Sequence, residues 1–227
     1  LHTDCQRDQD LAFEWGYAKD YPTLVVPGNG GIDTSLFYPI LDKTTGRPMK
    51  VINPRGIRAY IRNDTFFKAI PLIVEQLPAV RFVCPGMAGQ REAEKWVEKF
   101  NLSGVVELCP NIPRHEMAVL FREADVTVSP STHDGTPNTL LEGMACGCFP
   151  IAGDIESIRE WIKPGINGSL IDPGDHIGLA YAVINALTDQ ELREKAAHYN
   201  ITLIRDTAEY NASMSKADKF YRTVLGK

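Results

Sequence analysis

From Met49 onward, short apolar runs alternate with amphipathic stretches, and this alternation constrains the fold more than any other feature of the chain. The strand candidates are Lys50–Asn53, Val80–Cys84, Val105–Cys109, Val126–Pro130, Phe149–Ala152 and Ser169–Ile171. They are short, rich in Val, Ile, Leu and Phe, and bounded by Pro, Gly or Asn, as strands buried on both faces of a parallel sheet should be. Helix candidates lie between them at Asp64–Gln76, Gln90–Phe100, Arg114–Glu123, Asn138–Cys146 and Ile155–Ile162. Along Arg114–Glu123 and just beyond, Met117, Leu120, Phe121 and Ala124 recur at helical spacing and form a stripe to face the sheet. The pattern predicts an α/β fold, a Rossmann-like doubly wound parallel sheet with right-handed crossovers. Beyond Asp172-Pro173-Gly174-Asp175 the strand signals stop. Three C-terminal helices are expected there: Ile177–Leu187 capped by Asp175, Gln190–Ile204 capped by Asp189, and Thr207–Val224.

The first 48 residues read differently. Gln6–Lys19 predicts a helix and Thr23–Val26 a strand. Gly28-Asn29-Gly30-Gly31 and Lys43-Thr44-Thr45-Gly46-Arg47-Pro48 then bracket an irregular connection. Two punctuated stretches this close place a boundary near residue 48, with a domain tail and linker at 1–48 and one domain at 49–227. The chain opens without Met, which suggests a piece of a longer protein.

Composition narrows the function classes. A length of 227 residues is ample for a sizeable core. The net charge of −5 argues against a nucleic-acid partner but leaves room for a local anion pocket. No apolar run is long enough to span a bilayer, and the opening Leu1-His2-Thr3-Asp4 is too polar for a signal peptide. Membrane association is therefore expected only through a part outside this chain. The five cysteines are scattered and odd in number. Cys84 and Cys109 read as buried strand-end thiols, and Cys146-Gly147-Cys148 lacks the further ligands of a metal site. No metal is expected, and structural thiols suit a reducing, cytoplasmic setting.

In a doubly wound sheet, ligands bind outside the carboxyl ends of the strands. The chemically unusual strand end is Ser129-Pro130-Ser131-Thr132-His133-Asp134-Gly135-Thr136-Pro137-Asn138-Thr139-Leu140-Leu141-Glu142. A strand closes, a polar loop follows, and a helix begins near Pro137, a residue whose missing N–H costs nothing in a first turn. The N–H groups of Asn138, Thr139 and Leu140 are expected to point out of the helix start, an anion site reinforced by the helix dipole and suited to a diphosphate. Gly135 lets the loop backbone approach a ligand closely. Asp134 and Glu142, eight residues apart, can face one cavity and accept hydrogen bonds from vicinal sugar hydroxyls. On the residues alone a second reading stands beside this one: Asp134 caps the helix and Glu142 is solvated.

Asp134-Gly135-Thr136-Pro137 through Glu142, with Gly143-Met144-Ala145-Cys146-Gly147 and Phe149-Pro150-Ile151-Ala152, resembles the donor-site signature of the GT4 family of retaining glycosyltransferases. Pro27-Gly28-Asn29-Gly30-Gly31-Ile32-Asp33, with Phe37 and Pro39, resembles that family's linker, and Gly165-Ile166-Asn167-Gly168 with Asp172-Pro173 its later loop. The resemblance implies one half of a GT-B fold, the C-terminal donor-binding domain, with 1–48 the tail of an N-terminal acceptor-binding half. It implies a nucleotide-diphosphate sugar as substrate, transfer with retention, and neither cofactor nor essential metal. By the same resemblance Glu142 binds the ribose hydroxyls, Asp134 the transferred sugar, and the Thr139 and Leu140 N–H groups the diphosphate. Gly135, Thr136 and Asn138 belong to the same loop, and His133 adjoins it as a sugar contact or a local partner of Asp134.

Two departures stand out. Asp134 replaces the family's usual Glu, one methylene shorter. Arg55 matches the family's first phosphate cation, whereas its following Lys is absent, leaving Arg62 as the expected second cation and Arg58 as the spare. The nucleobase is expected near Cys109–Ile112. His115 is expected to be exposed at a helix start, and Trp15, Trp96 and Trp161 to pack. The expected activity is a hexosyltransferase fragment that binds donor and transfers nothing without its N-terminal half. The alternative is a degenerate nucleotide-binding or scaffolding module of the same fold. A dinucleotide enzyme is disfavoured, because no Gly-x-Gly-x-x-Gly follows Lys50–Asn53.

Overall fold

Each of the six expected strand segments becomes a strand in the computed structural model, which describes residues 1–27, 30–40 and 46–226. Gly28 and Asn29 of the first punctuated stretch, and Lys43–Thr45 of the second, lie outside the described residues. The strands β3 (Lys50–Ile52), β4 (Arg81–Cys84), β5 (Val106–Leu108), β6 (Val126–Ser129), β7 (Phe149–Gly153) and β8 (Ser169–Ile171) form one sheet of order β5-β4-β3-β6-β7-β8. Every adjacent pair is parallel. The chain thus starts in the middle of the sheet, builds outward to β5, then returns to build the other half from β6. The order reverses between β3 and β6, and at such a switch point the loops leaving the two strands diverge and open a crevice.

Side chains alternate across the sheet. Val51, Phe82, Cys84, Val126, Val128, Phe149 and Ile151 share one core with α2 (Asn63–Gln76), α3 (Arg91–Lys99) and α7 (His176–Thr188). Ile52 and Ala152 face the other way, into a core built with α4 (Arg114–Glu123), α5 (Asn138–Ala145) and the end of α8 (Gln190–Thr207). Two helical layers over one sheet leave the strands covered on both faces, which is why their sequences are apolar without a polar alternation. The Asp175 carboxylate accepts from the Ile177 and Gly178 N–H groups and that of Asp189 from Leu192, so both expected caps form. The helix expected over Ile155–Ile162 is shorter, α6 at Glu156–Arg159. Pro164 disfavours helical backbone at Lys163, and the Asn167 side chain takes the Lys163 N–H instead.

The N-terminal piece comprises β1 (His2–Thr3), α1 (Gln6–Glu14) and β2 (Leu24–Val25), with β1 and β2 parallel. The helix expected over Gln6–Lys19 stops at Glu14, with Gly16 at φ +99° just beyond, and Trp15, expected to pack, is 82% exposed. Trp96 does pack, stacked on Phe67 at 5.1 Å.

Packing does not respect a division at residue 48. Ile32 and Phe37 are buried in the second core, and Ile32 exchanges backbone hydrogen bonds with Ala208 and Tyr210. Gly31, at φ +92°, lies so close to the Ala208 carbonyl that a Cβ would overlap it. The last helix, α9 (Tyr210–Leu225), returns to β1, where Tyr221 Oη meets His2 Nδ1 at 2.8 Å. Among the described residues, no helix is long and apolar enough to cross a membrane.

Candidate functional site

A cleft of about 360 Å³ opens at the carboxyl edge of the sheet, at the β3/β6 switch point. Its floor is the loop after β3, Pro54–Arg58, with Pro85 and Gly86 after β4, Asn111 and Ile112 after β5, and Thr139 and Glu142 of α5. Arg114 and Met117 of α4 close one side.

Arg55 is the most confined cation of the cleft, its side chain 9% exposed. It donates through Nη2 to Asp134 Oδ2 at 2.5 Å and through Nη1 to Thr139 Oγ1 at 3.0 Å. Its Nε is buried and, among the described residues, has no hydrogen-bond partner. Burial pulls the guanidinium pKa down and Asp134 opposes that shift. Asp134 is pushed the other way: burial raises its carboxyl, and the Arg55 charge holds it back. A buried donor without a partner is a costly feature.

Glu142 is 6% exposed, and Arg114 donates to its Oε1 from Nε at 3.1 Å. Burial raises the Glu142 pKa, against the pull of Arg114. The solvated reading of Glu142 is therefore wrong, and the two carboxylates are each matched by an arginine. Asp134 does not line the cleft itself; its carboxylate is drawn back onto Arg55.

The loop of residues 132–137 is held from the N-terminal side. Thr136 donates its N–H to Asp4 Oδ2 at 3.3 Å and its hydroxyl to the Asp4 carbonyl at 2.5 Å. A Cβ on Gly135 would meet the Asp4 carboxylate at 2.5 Å, so the close approach that glycine permits is made by Asp4. Arg7 Nη2 and Ser157 Oγ both donate to the Asp134 carbonyl, and the Glu160 carboxylate accepts the Gln6 and Arg7 N–H groups at the start of α1. Asp4, Arg7, Ser157 and Glu160 were not legible as site residues, because they come from segments far from the motif in sequence.

Three expectations are corrected. Leu140 does not offer a free N–H: it donates to the Pro137 carbonyl at 3.0 Å in a tight first turn. Arg62 is not in the cleft but forks onto Asp64, Nε–Oδ1 2.8 Å and Nη2–Oδ2 3.0 Å. Arg58, the spare, lines the cleft, and Arg114 joins it there. Applying the strand-end rule to β5 as well as β6 would have found Arg114. His133 is exposed and outside the cleft lining, as is His115 on α4. Asn138 is half-buried beside the site, and its Oδ1 has no partner among the described residues. Asn111 and Ile112 place part of the expected base region on the cleft wall.

Among the described residues, Asp4, Cys5 and Asp8 bring their ligand atoms within 4.8 Å of one another. Burial pushes the Cys5 thiol up to about 12, and Arg7 pairs with Asp8 at 2.7 Å.

Residues 50–202 match the sequence profile described as glycosyl transferases group 1. The D-inositol 3-phosphate glycosyltransferase of Thermomonospora curvata is 30% identical over 204 residues, covering 80% of this chain and 46% of that protein. The chain spans about half the length, or less, of the curated relatives it first matches. Its fold is similar to sucrose-phosphate synthase of Thermosynechococcus elongatus, with a TM-score of 0.85 at 22% identity, covering 99% of this chain and 58% of that one. It is also similar to the pneumococcal O-GlcNAc transferase GtfA solved with UDP and GlcNAc, with a TM-score of 0.82 at 19% identity, covering 100% of this chain and 45% of that one.

Proposed function

The chain belongs to the group 1 glycosyl transferases, and on that premise we propose that residues 49–227 hold the nucleoside-diphosphate end of a sugar donor. The observation that carries this reading is Arg55, which lines the cleft at the sheet's switch point while its Nε is buried without a hydrogen-bond partner among the described residues. A diphosphate oxygen supplies the missing acceptor, and Arg58 adds a second cation beside it. The start of α5 brings the Thr139 backbone and the positive end of its dipole to the same phosphates. Glu142 grips the ribose hydroxyls from the far side of the cleft. Asp134, released from Arg55 as the diphosphate takes its place, turns to the hydroxyls of a transferred hexose. Stabilising charge on the departing nucleoside diphosphate is then the chemical contribution of this half, with no cofactor or metal and with retention of configuration. The UDP bound to the pneumococcal structural relative favours a pyrimidine nucleotide as first candidate. Transfer itself calls for an acceptor-binding half, and this chain alone binds donor without transferring. Five free, buried thiols suit a cytoplasmic setting.

Calorimetric titration with UDP, GDP and ADP tests the reading on the parent chain and on Glu142→Ala. One nucleotide binds the parent and loses at least tenfold in affinity in the variant, the order expected from removing a charged hydrogen-bonding group. Equal binding by both proteins refutes the site. The Arg55–Asp134 pair also favours a second reading, a nucleotide-binding module without turnover, because an occupied Asp134 is removed from the sugar. Donor turnover by the full-length protein would exclude it.

A further inference from the structure

Resting on the donor-site reading above, we propose that Arg114 is a positioning residue that holds the Glu142 carboxylate oriented for vicinal hydroxyls and is itself seated by Phe37. Glu142 lies deep in the cleft, and its burial would favour the neutral acid. A neutral carboxyl accepts at fewer sites and grips a diol less well. Among the described residues the one charged group bonded to it is Arg114, Nε–Oε1 3.1 Å. The other cations of the cleft bond groups other than Glu142. Arg55 is paired with Asp134, and Arg58 donates to the Arg55 carbonyl and the Tyr60 hydroxyl.

Arg114 is half-exposed, so its position needs an anchor of its own. The guanidinium lies over the Phe37 ring, 5.1 Å from its centroid, and Asp33 adds an opposite charge nearby. Phe37 is 1% exposed and set edge-on to Phe121 of the same helix α4. The segment bearing Phe37 is strapped to α4 a second time, where Arg122 donates to the Leu36 carbonyl and covers the Tyr38 ring. A fixed aromatic face thus aims an otherwise mobile arginine at one carboxylate. The connector between the N-terminal piece and the sheet in this way sets the posture of the donor site.

UDP titrations on the intact chain between pH 6 and 9 test this with Arg114→Gln, Arg114→Lys, Glu142→Gln and the Arg114→Gln/Glu142→Gln double variant. The charged group that bears on Glu142 is Arg114 from α4, itself near Asp33, while Arg55 and Arg58 line the same cleft from the loop after β3. Arg114→Gln weakens UDP about tenfold near neutrality, the worth of a hydrogen bond to a charged group. The penalty shrinks as pH rises, because burial raises the Glu142 carboxyl and Arg114 opposes that rise. Arg114→Lys recovers part of the affinity at neutral pH, and in the Glu142→Gln background Arg114→Gln costs less than twofold. A penalty equal at every pH, absent altogether, or undiminished in the Glu142→Gln background overturns the proposal and makes Arg114 a direct ligand contact or a bystander. If Glu142→Gln leaves UDP affinity intact, or the parent binds none of UDP, GDP and ADP, the donor-site reading fails and takes this proposal with it.

Discussion

Replacing Arg55 by Met isolates the charge balance on which the cleft is built. Arg55 and Asp134 are 9% and 14% exposed and meet at 2.5 Å. Removing the arginine leaves a carboxylate mostly out of water without its counter-ion. Breaking a fully buried pair costs about 3–5 kcal/mol, and the residual exposure of both groups points to about 3 kcal/mol. For a chain of this length that lowers the unfolding midpoint by roughly 9 °C. The cost has a definite pH signature. Asp134 is raised above its ordinary 3.8 by burial, with the Arg55 charge opposing the rise, so the variant raises it further. A carboxyl whose folded pKa exceeds its unfolded one favours the fold below the unfolded value, and that contribution is lost as pH climbs through the folded one. The deficit of Arg55→Met is therefore largest at about pH 8 and smaller at about pH 5. Urea unfolding followed by circular dichroism at both values measures it, with Arg55→Met/Asp134→Asn as the decisive companion, since a neutral amide no longer needs the cation. A deficit of the same size at both pH values, or a double variant no more stable than the single one, would refute the argument that Asp134 is a buried charge compensated by Arg55.

Two further outcomes follow from packing. Asn200→Ala removes the amide that accepts from Asn167 Nδ2 at 2.7 Å and donates to the Asn167 carbonyl at 2.9 Å, both groups buried. The Asn167 carbonyl and one N–H of its amide lose their partners, while Nδ2 keeps its bond to the Trp161 carbonyl, so a loss of about 2 kcal/mol in urea unfolding is the expected result, and a loss below about 0.5 kcal/mol would contradict it. Gly31→Ala places a Cβ against the Ala208 carbonyl on a backbone at φ +92°, so the connector must leave α8. A lowered unfolding midpoint and faster proteolysis within residues 28–48 are expected, and an unchanged midpoint would show that the close approach is not needed.

Much of the fold is local, and the local part is legible in the residues. The span Arg114–Glu123 is a helix to the residue, because its apolar spacing and its flanking Pro113 act within a turn or two. Asp175 and Asp189 cap their helices for the same reason: a short side chain reaches only its own next N–H groups. The six strands are marked by apolar runs that solvent cannot cover. What failed locally failed for physical cause. Trp15 lies at the end of a helix that Gly16 stops early, and Leu140 spends its N–H on a first-turn bond. Composition and periodicity contain neither fact.

Tertiary structure alone decided which strand ends meet and which arginine faces the ligand. β3 and β6 are more than seventy residues apart in the chain yet neighbours in the sheet, and that pairing opens the cleft between Arg55 and Glu142. Arg62 stood next in line by sequence, but a carboxylate two residues away satisfies its guanidinium at less entropic cost than a distant phosphate site. Arg114 reaches the cleft because α4 begins with it at the carboxyl edge just after β5, where Phe37 supports it. The sequence by itself determined the elements, since propensity and capping are settled among near neighbours. The site is a set of non-local contacts between charged side chains, and which of these form depends on where the folded backbone brings them within about 3 Å of one another.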